Sequence, residues 1–187
     1  MQIDVYDFDG TVYNGDSSFD FCMFCLAKRP YIAIMLPWQG LGVFCMLFKL
    51  MPSYKWKAMI FSFLRIIDGE KLVKEFWQKK SSKIHSWFLP ENRARYSVVA
   101  SASPEFLLKI PCQKYDIPLL IGTQMDIKTG RITGLNCRHN EKVKRLNAAM
   151  PKTEIIAMYS DSKPADGPLF ELAQERYHVV KGEINKF

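Results

Sequence analysis

Short apolar runs mark the two ends of the chain, and between them apolar residues recur at helical spacing. Ile3 to Tyr6 is a brief strand-like run, closed by the acidic turn Asp7-Phe8-Asp9-Gly10-Thr11. From about residue 17 to 90 strand signals are sparse. Phe19, Met23 and Leu26, then Ile60, Phe63, Leu64 and Ile67, follow the period of a helix. Pro30, Pro37 and Pro52 divide this stretch into several helices, because proline gives no amide hydrogen to the preceding turn. From about residue 96 the pattern predicts a strand at Tyr96 to Ala100, then a helix starting at Ser103-Pro104-Glu105 with a capping hydroxyl. It continues with a strand at Leu119 to Gly122, a hairpin around Lys-Thr-Gly at 126–132, a helix at 140–149 and a strand at 154–159. A helix at 168–174 and a last strand at 177–180 complete the reading. Strands alternating with helices imply an α/β fold, with a parallel sheet covered on both faces.

Such a sheet places its ligands beyond the carboxyl ends of its strands. Asp7 and Asp9 leave the first strand on the same side, because side chains alternate along a strand. Two carboxylates that close repel each other unless they share a cation. Ser101-Ala102-Ser103 ends the second strand, Ser160-Asp161-Ser162 ends the last long one, and Lys142 opens the helix before it. Three carboxylates, a hydroxyl beside a helix start and an ammonium are the inventory for a hard cation and a phosphoryl group. Taken singly, each has a bland reading. Asp-x-Asp can be an acidic turn, Ser101 a strand end, Lys142 a solvated helix residue and Asp161 an Asx-turn. Their coincidence is what structure alone explains poorly.

Composition narrows the setting. A chain of 187 residues, 48% hydrophobic and 24% charged, suits one domain plus a subdomain. A net charge of +7 suits anionic partners. Basic residues without an aromatic stripe argue against nucleic acid. Five cysteines, an odd number in no framework spacing, suit reduced thiols and the cytoplasm. Cys22 and Cys25 form a C-x-x-C in an apolar, helix-like setting without a second pair, which reads as buried thiols rather than zinc ligands. The opening strand with its Asp residues is unlike a cleaved signal peptide.

Four motifs carry a resemblance to the haloacid-dehalogenase-type (HAD) phosphatases. Asp7-Phe8-Asp9-Gly10-Thr11 resembles the first motif and Ser101, within Val99 to Pro104, the second. Gly134-Leu135-Asn136-Cys137 followed by Glu141-Lys142-Val143 resembles the third, and Tyr159-Ser160-Asp161-Ser162 the fourth. The likeness is strongest to the phosphoserine-phosphatase-like branch (subfamily IB), which also includes bacterial phosphatidylglycerophosphate phosphatases. It implies a Rossmann-like, doubly wound core of residues 1–16 and 91–187, with residues 17–90 inserted as a helical cap. It further implies that Asp7 is the nucleophile, forming an aspartyl-phosphate, and Asp9 the acid/base. Mg²⁺ would be held by Asp7, the Asp9 main-chain carbonyl and Asp161. Ser101, Ala102, Lys142, Thr11 and the Gly10 amide would meet the phosphoryl group. Ser162 and Asp166 would support the metal site, although Asp166 follows Asp161 by five residues where the family spacing is four. Asp16 stands where phosphoserine phosphatases read the substrate amine, and equally where a helix cap is expected. His139 reads as a loop residue.

The implied reaction is Mg²⁺-dependent hydrolysis of a small phosphomonoester such as phosphoserine, with a lipid phosphate as the alternative. More distant readings are transfer to another acceptor, a receiver-like switch and a basic binding protein on a dead fold. Residues 31–51 are almost wholly apolar. The preferred reading is a greasy cap folded on itself or forming a homodimer. A cap resting on the membrane comes next, with Lys28, Arg29, Lys49, Lys55 and Lys57 as basic anchors, and a single span last. The expected location is cytoplasmic, or peripheral at the inner face of the membrane.

Overall fold

The computed structural model describes residues 1–187. Its centre is a six-stranded sheet: β1 (Gln2–Tyr6), β2 (Tyr96–Pro104), β3 (Leu119–Thr123), β4 (Glu154–Ser160), β5 (Ala173–Val180) and β6 (Glu183–Lys186). The spatial order is β3-β2-β1-β4-β5-β6. Every pair is parallel except β5 with β6. Because β2 and β4 flank β1 on opposite sides, the order reverses there and opens a crevice at the strand ends.

Side-chain alternation along β1 and β2 sorts the core into two. Ile3, Val5, Val98 and Ala100 face α6 (Asn140–Ala149) and α7 (Lys163–Leu172), packing with Leu146, Leu169 and Phe170. Tyr6 and Val99 face the other way, with Leu107 and Leu108 of α5 (Glu105–Lys114). The helices inserted between β1 and β2 are α1 (Ser17–Lys28), α2 (Leu36–Leu47), α3 (Ser53–Ile60) and α4 (Gly69–Lys80); α1 and α4 share that second core, α3 joins it through Ile60, and α2 stays outside it. Phe21, Phe63 and Phe76 are fully buried where these helices meet. Each such burial stabilises by roughly 1.5–3 kcal/mol. Short 3₁₀ turns, the last at Pro90–Asn92, lead from α4 to β2, so the chain crosses back without a further α-helix.

Four local expectations need correcting. Ser103 does not cap α5; β2 runs on to Pro104, and the Ser103 hydroxyl is used elsewhere. The hairpin at 126–132 is one isolated bridge between Met125 and Ile132, closed by the Asp126 carboxylate accepting from the Lys128 amide and Thr129 hydroxyl. The expected helix at 168–174 starts earlier, at Lys163, because Ser162 caps it and Pro164 fits its first turn. β6 is wholly exposed, so no apolar alternation announced it.

Candidate active site

The loops after β1 and β4 form the floor of the crevice and are tied together. The Asp7 amide donates to the Tyr159 carbonyl at 2.9 Å, extending the β1–β4 pairing by one residue. Gly10 turns the chain at φ 71°, and the Asp161 carboxylate lies so close that a Cβ on Gly10 would collide with it. The Thr11 hydroxyl, fully buried, accepts the Asp161 amide at 2.8 Å. Thr11 therefore braces the two loops instead of facing the pocket, which corrects its expected place among the phosphate contacts.

Lys142, on the first turn of α6, is 2% exposed. Its Nζ lies 2.8 Å from Asp7 Oδ1 and 2.6 Å from Asp166 Oδ1. The Ser160 hydroxyl donates to the other Asp166 oxygen at 2.7 Å. Asp166, which the spacing left in doubt, thus braces the ammonium, while the Ser162 hydroxyl caps α7 by accepting the Ala165 amide. A buried ammonium is costly unless paired, and two carboxylates pair it. Burial works against the charge on Lys142, but Asp7 and Asp166 outweigh it and push its pKa up. Burial likewise raises the Asp7 carboxyl to about 7, with Lys142 pulling the other way.

Asp9 is held differently. Its Oδ1 accepts the Ser17 amide at 2.6 Å at the start of α1, and its Oδ2 accepts the Ser103 hydroxyl. Ser18 Oγ, also on α1, is hydrogen-bonded to Ser103 Oγ at 2.9 Å. Burial raises the Asp9 pKa, and Asp16 nearby raises it further, with Ser103 and Ser17 opposing. Asp16 itself caps α1, accepting the Phe19 amide at 2.8 Å. Ser103 escaped the sequence reading as a site residue. The available signal was its position two residues after Ser101, which puts both hydroxyls on one side of β2.

A pocket of about 740 Å³ opens above these groups. Asp7, Asp9, Lys142, Ser101, Ala102, Ser103, Asp16 and Ser162 line its polar end. Phe19, Met23, Leu26, Ile32, Val43 and Trp56 line much of the rest, all from the inserted helices. Ser101 Oγ accepts the Ser103 amide at 3.1 Å. Two basic residues that sequence reasoning did not place here reach the same pocket, Arg138 and Lys57. Lys57 is a basic anchor only in the alternative of a cap resting on the membrane. It is buried on α3, its Nζ donating to the Ala102 carbonyl at 2.7 Å and Asn136 Oδ1 at 2.9 Å. Burial lowers its pKa to about 8. Local pattern could not show this, because both partners come from the core, far along the chain. His139 is exposed at the start of α6. All five cysteines are free, and burial pushes the Cys25 thiol up to about 12.

No cluster of three or more His, Cys, Asp or Glu side chains that could hold a metal occurs. The donor set implied for Mg²⁺ needs only two such side chains, Asp7 and Asp161, plus the Asp9 carbonyl. These are hard oxygen donors, and the bare Gly10 lets the Asp161 carboxylate sit against the loop that carries the other two. The residues fit the ion.

The site is thus an acidic crevice at the strand-order switch of an α/β sheet, with a lysine anchored on its carboxylates. Residues 5–171 match the family model of haloacid dehalogenase-like hydrolases, and the chain belongs to that family. Among curated proteins none matches the sequence. Among solved structures, a protein with unknown function from Bordetella pertussis Tohama I is similar at TM-score 0.76 and 18% identity, over 94% of this chain and 88% of that one. A probable phosphoserine phosphatase from Vibrio cholerae is similar at TM-score 0.69 and 13% identity, over 94% of this chain and 55% of that one. A phosphoserine phosphohydrolase-like protein from Francisella tularensis gives TM-score 0.60 and 14% identity, over 94% and 86%. At these identities the likeness is one of fold.

Proposed function

We propose that this chain is a Mg²⁺-dependent phosphomonoesterase working through an aspartyl-phosphate on Asp7. The observation that carries the reading is the paired geometry of the two carboxylates. Asp7 faces the Lys142 ammonium at 2.8 Å, while Asp9, two residues on, is held by the neutral Ser17 amide and Ser103 hydroxyl; burial raises both pKa values, and Lys142 opposes it at Asp7. A cation beside one carboxylate and neutral donors on the other give the pair the asymmetry that nucleophile and acid require. Asp7 attacks phosphorus as the bond to the leaving oxygen breaks, and Asp9 gives that oxygen its proton. Asp9 then takes a proton from the water that attacks the phospho-aspartate, returning the Asp7 carboxylate and releasing inorganic phosphate. Lys142 and Ser101 hold the phosphoryl oxygens, Lys142 countering charge that grows in transfer. Mg²⁺, when held by Asp7, Asp161 and the Asp9 carbonyl, would supply the positive charge that lets an anionic nucleophile approach an anionic phosphate.

For the leaving group, a small metabolite such as phosphoserine has the support of the fold likeness. A lipid phosphate is favoured by one observation, the six apolar side chains that wall the pocket above the acids. Asp16 caps α1 with one oxygen and also lines the pocket, so a substrate amine would have a carboxylate to meet there. Release of phosphate from an aryl phosphate with Mg²⁺, abolished by EDTA, tests the reaction. Metal-independent turnover would overturn it. Comparing phosphoserine, sugar phosphates, nucleotides and a phosphatidylglycerophosphate decides the leaving group.

A further inference from the structure

α2 is apolar around its whole circumference, yet only one stripe of it is packed. Gly42 and Cys45 are buried, with Gly42 against Met59 and the Trp56 carbonyl of α3. Around that stripe and in the turns that flank the helix, apolar side chains stand in solvent: Ile34 is 76% exposed, Leu47 68%, Phe48 63% and Leu50 62%, with Trp38, Leu41 and Phe44 near half. A helix hydrophobic all round belongs inside a protein or in lipid, and a contiguous patch of this kind marks an interaction surface.

Charge says which kind. From Phe21 to Ile67 there is no Asp or Glu, while Lys28, Arg29, Lys49, Lys55, Lys57 and Arg65 lie in that stretch. Lys57 is turned inward and Lys28 pairs with Glu75, but Lys49 and Lys55 are exposed at the two sides of the α2–α3 turn without an ion-pair partner. A twofold contact between copies would set this cationic face against itself. An anionic bilayer offers an apolar interior for the side chains and negative headgroups for the lysines.

We infer that the tip of the inserted helices, Pro30–Leu50 with Lys49 and Lys55, docks on the surface of an anionic lipid bilayer. The segment lies on the bilayer and does not cross it. Although Pro30–Leu47 has the length and apolarity of a span, Leu36, Gln39, Val43 and Met46 of the same helix wall the pocket above Asp7. Gln39 is also tied to the Ile60 carbonyl at 2.8 Å. A crossing helix would strip that wall away. Docking on the outer side of α2 leaves the pocket opening beside the lipid. The surface itself stands independently of the proposed reaction, and only its use for delivering a lipid phosphate rests on that reading.

Co-sedimentation with vesicles of phosphatidylcholine and phosphatidylglycerol in equal parts tests this. The wild-type protein should sediment with them and at least about tenfold less with phosphatidylcholine alone. The triple variant Leu47→Gln, Phe48→Gln, Leu50→Gln should lose at least about tenfold in binding while hydrolysing an aryl phosphate at the wild-type rate. The double variant Lys49→Glu, Lys55→Glu should also lose binding, by charge alone, and serves if the triple variant does not fold. Asp7→Asn should bind vesicles as the wild type does, which separates failure of the surface from failure of the reaction. Absence of wild-type binding to the anionic vesicles, or unchanged binding by the variants, would overturn the inference. So would a stable wild-type dimer by light scattering that the triple variant dissolves, since the face would then be covered by a second copy.

Discussion

The carboxyl end of the sheet and the outer face of α2 lie on either side of one pocket and are built on opposite principles. At the sheet, polar groups are buried and multiply partnered: Lys142 touches two carboxylates, Asp9 two donors, Thr11 an amide of the neighbouring loop. On α2, apolar groups are exposed and have few partners. Each is the costly arrangement for its residue type. A buried charge is tolerated when its geometry is fixed by several partners, whereas an exposed apolar face is relieved only by something outside the chain. Chemistry and contact are thus kept on separate elements, and a change to either should leave the other intact.

The largest effect that would break this contrast is at Asp7. Asp7→Asn should lower aryl phosphate turnover by roughly 10⁴-fold with little loss of fold, read by steady-state kinetics beside thermal unfolding. Residual activity near wild type would remove the nucleophile from the site. Next, Lys142→Met should leave Asp7 and Asp166 without their shared cation and cost about 3–5 kcal/mol of stability, measured by urea unfolding, along with most of the activity. Ser103→Ala frees one oxygen of Asp9 and its link to Ser18. It should reduce kcat by about tenfold with KM little changed, the loss of one buried hydrogen bond to a charged group.

A pH scan sharpens the boundary between the regions at Lys57. Its folded pKa, about 8, lies below the ordinary 10.5, so between those values the unfolded chain holds more protons and stability rises with pH. Below about pH 8 both states carry the charge, and the penalty for burying it is present in full. The stability difference between the wild type and Lys57→Met should therefore shift toward the wild type from pH 8 to 10.5. A pH-independent difference would place the ammonium in water. Smallest of all, Asp16→Asn keeps a capping side chain and should change stability by no more than about 0.5 kcal/mol. If KM for phosphoserine nevertheless rises severalfold, Asp16 reads an amine and the apolar reading of the pocket loses ground.

The sheet end was largely legible in the sequence, because strand alternation and strand-end polarity are local patterns. Asp7, Asp9, Ser101 and Asp161 stand at strand ends that the local pattern marks, whereas Lys142 joined them only through their coincidence and the family resemblance. What escaped depends on contacts between distant segments. Lys57 is one more lysine in a basic stretch until α3 turns it toward Ala102 and Asn136. Ser103 looks like a helix cap until Asp9 comes within reach of it. Asp166 stands out of family spacing, and only the path of α7 behind β4 brings it back to Lys142. β6, polar and exposed, had no signal to give. The exposure of α2 was equally hidden, since its apolar run reads the same whether it is core or surface.

The bond from Lys57 to the Ala102 carbonyl has a mechanical consequence. Ala102 follows Ser101 in the strand end that meets the phosphoryl group, and Thr123 on β3 grips the same carbonyl at 2.6 Å. Swinging α3 outward to widen the entrance must pull on that peptide or let it go. Opening the door and slackening the hand that holds the phosphate become one movement, so the entrance widens as the grip on the product loosens.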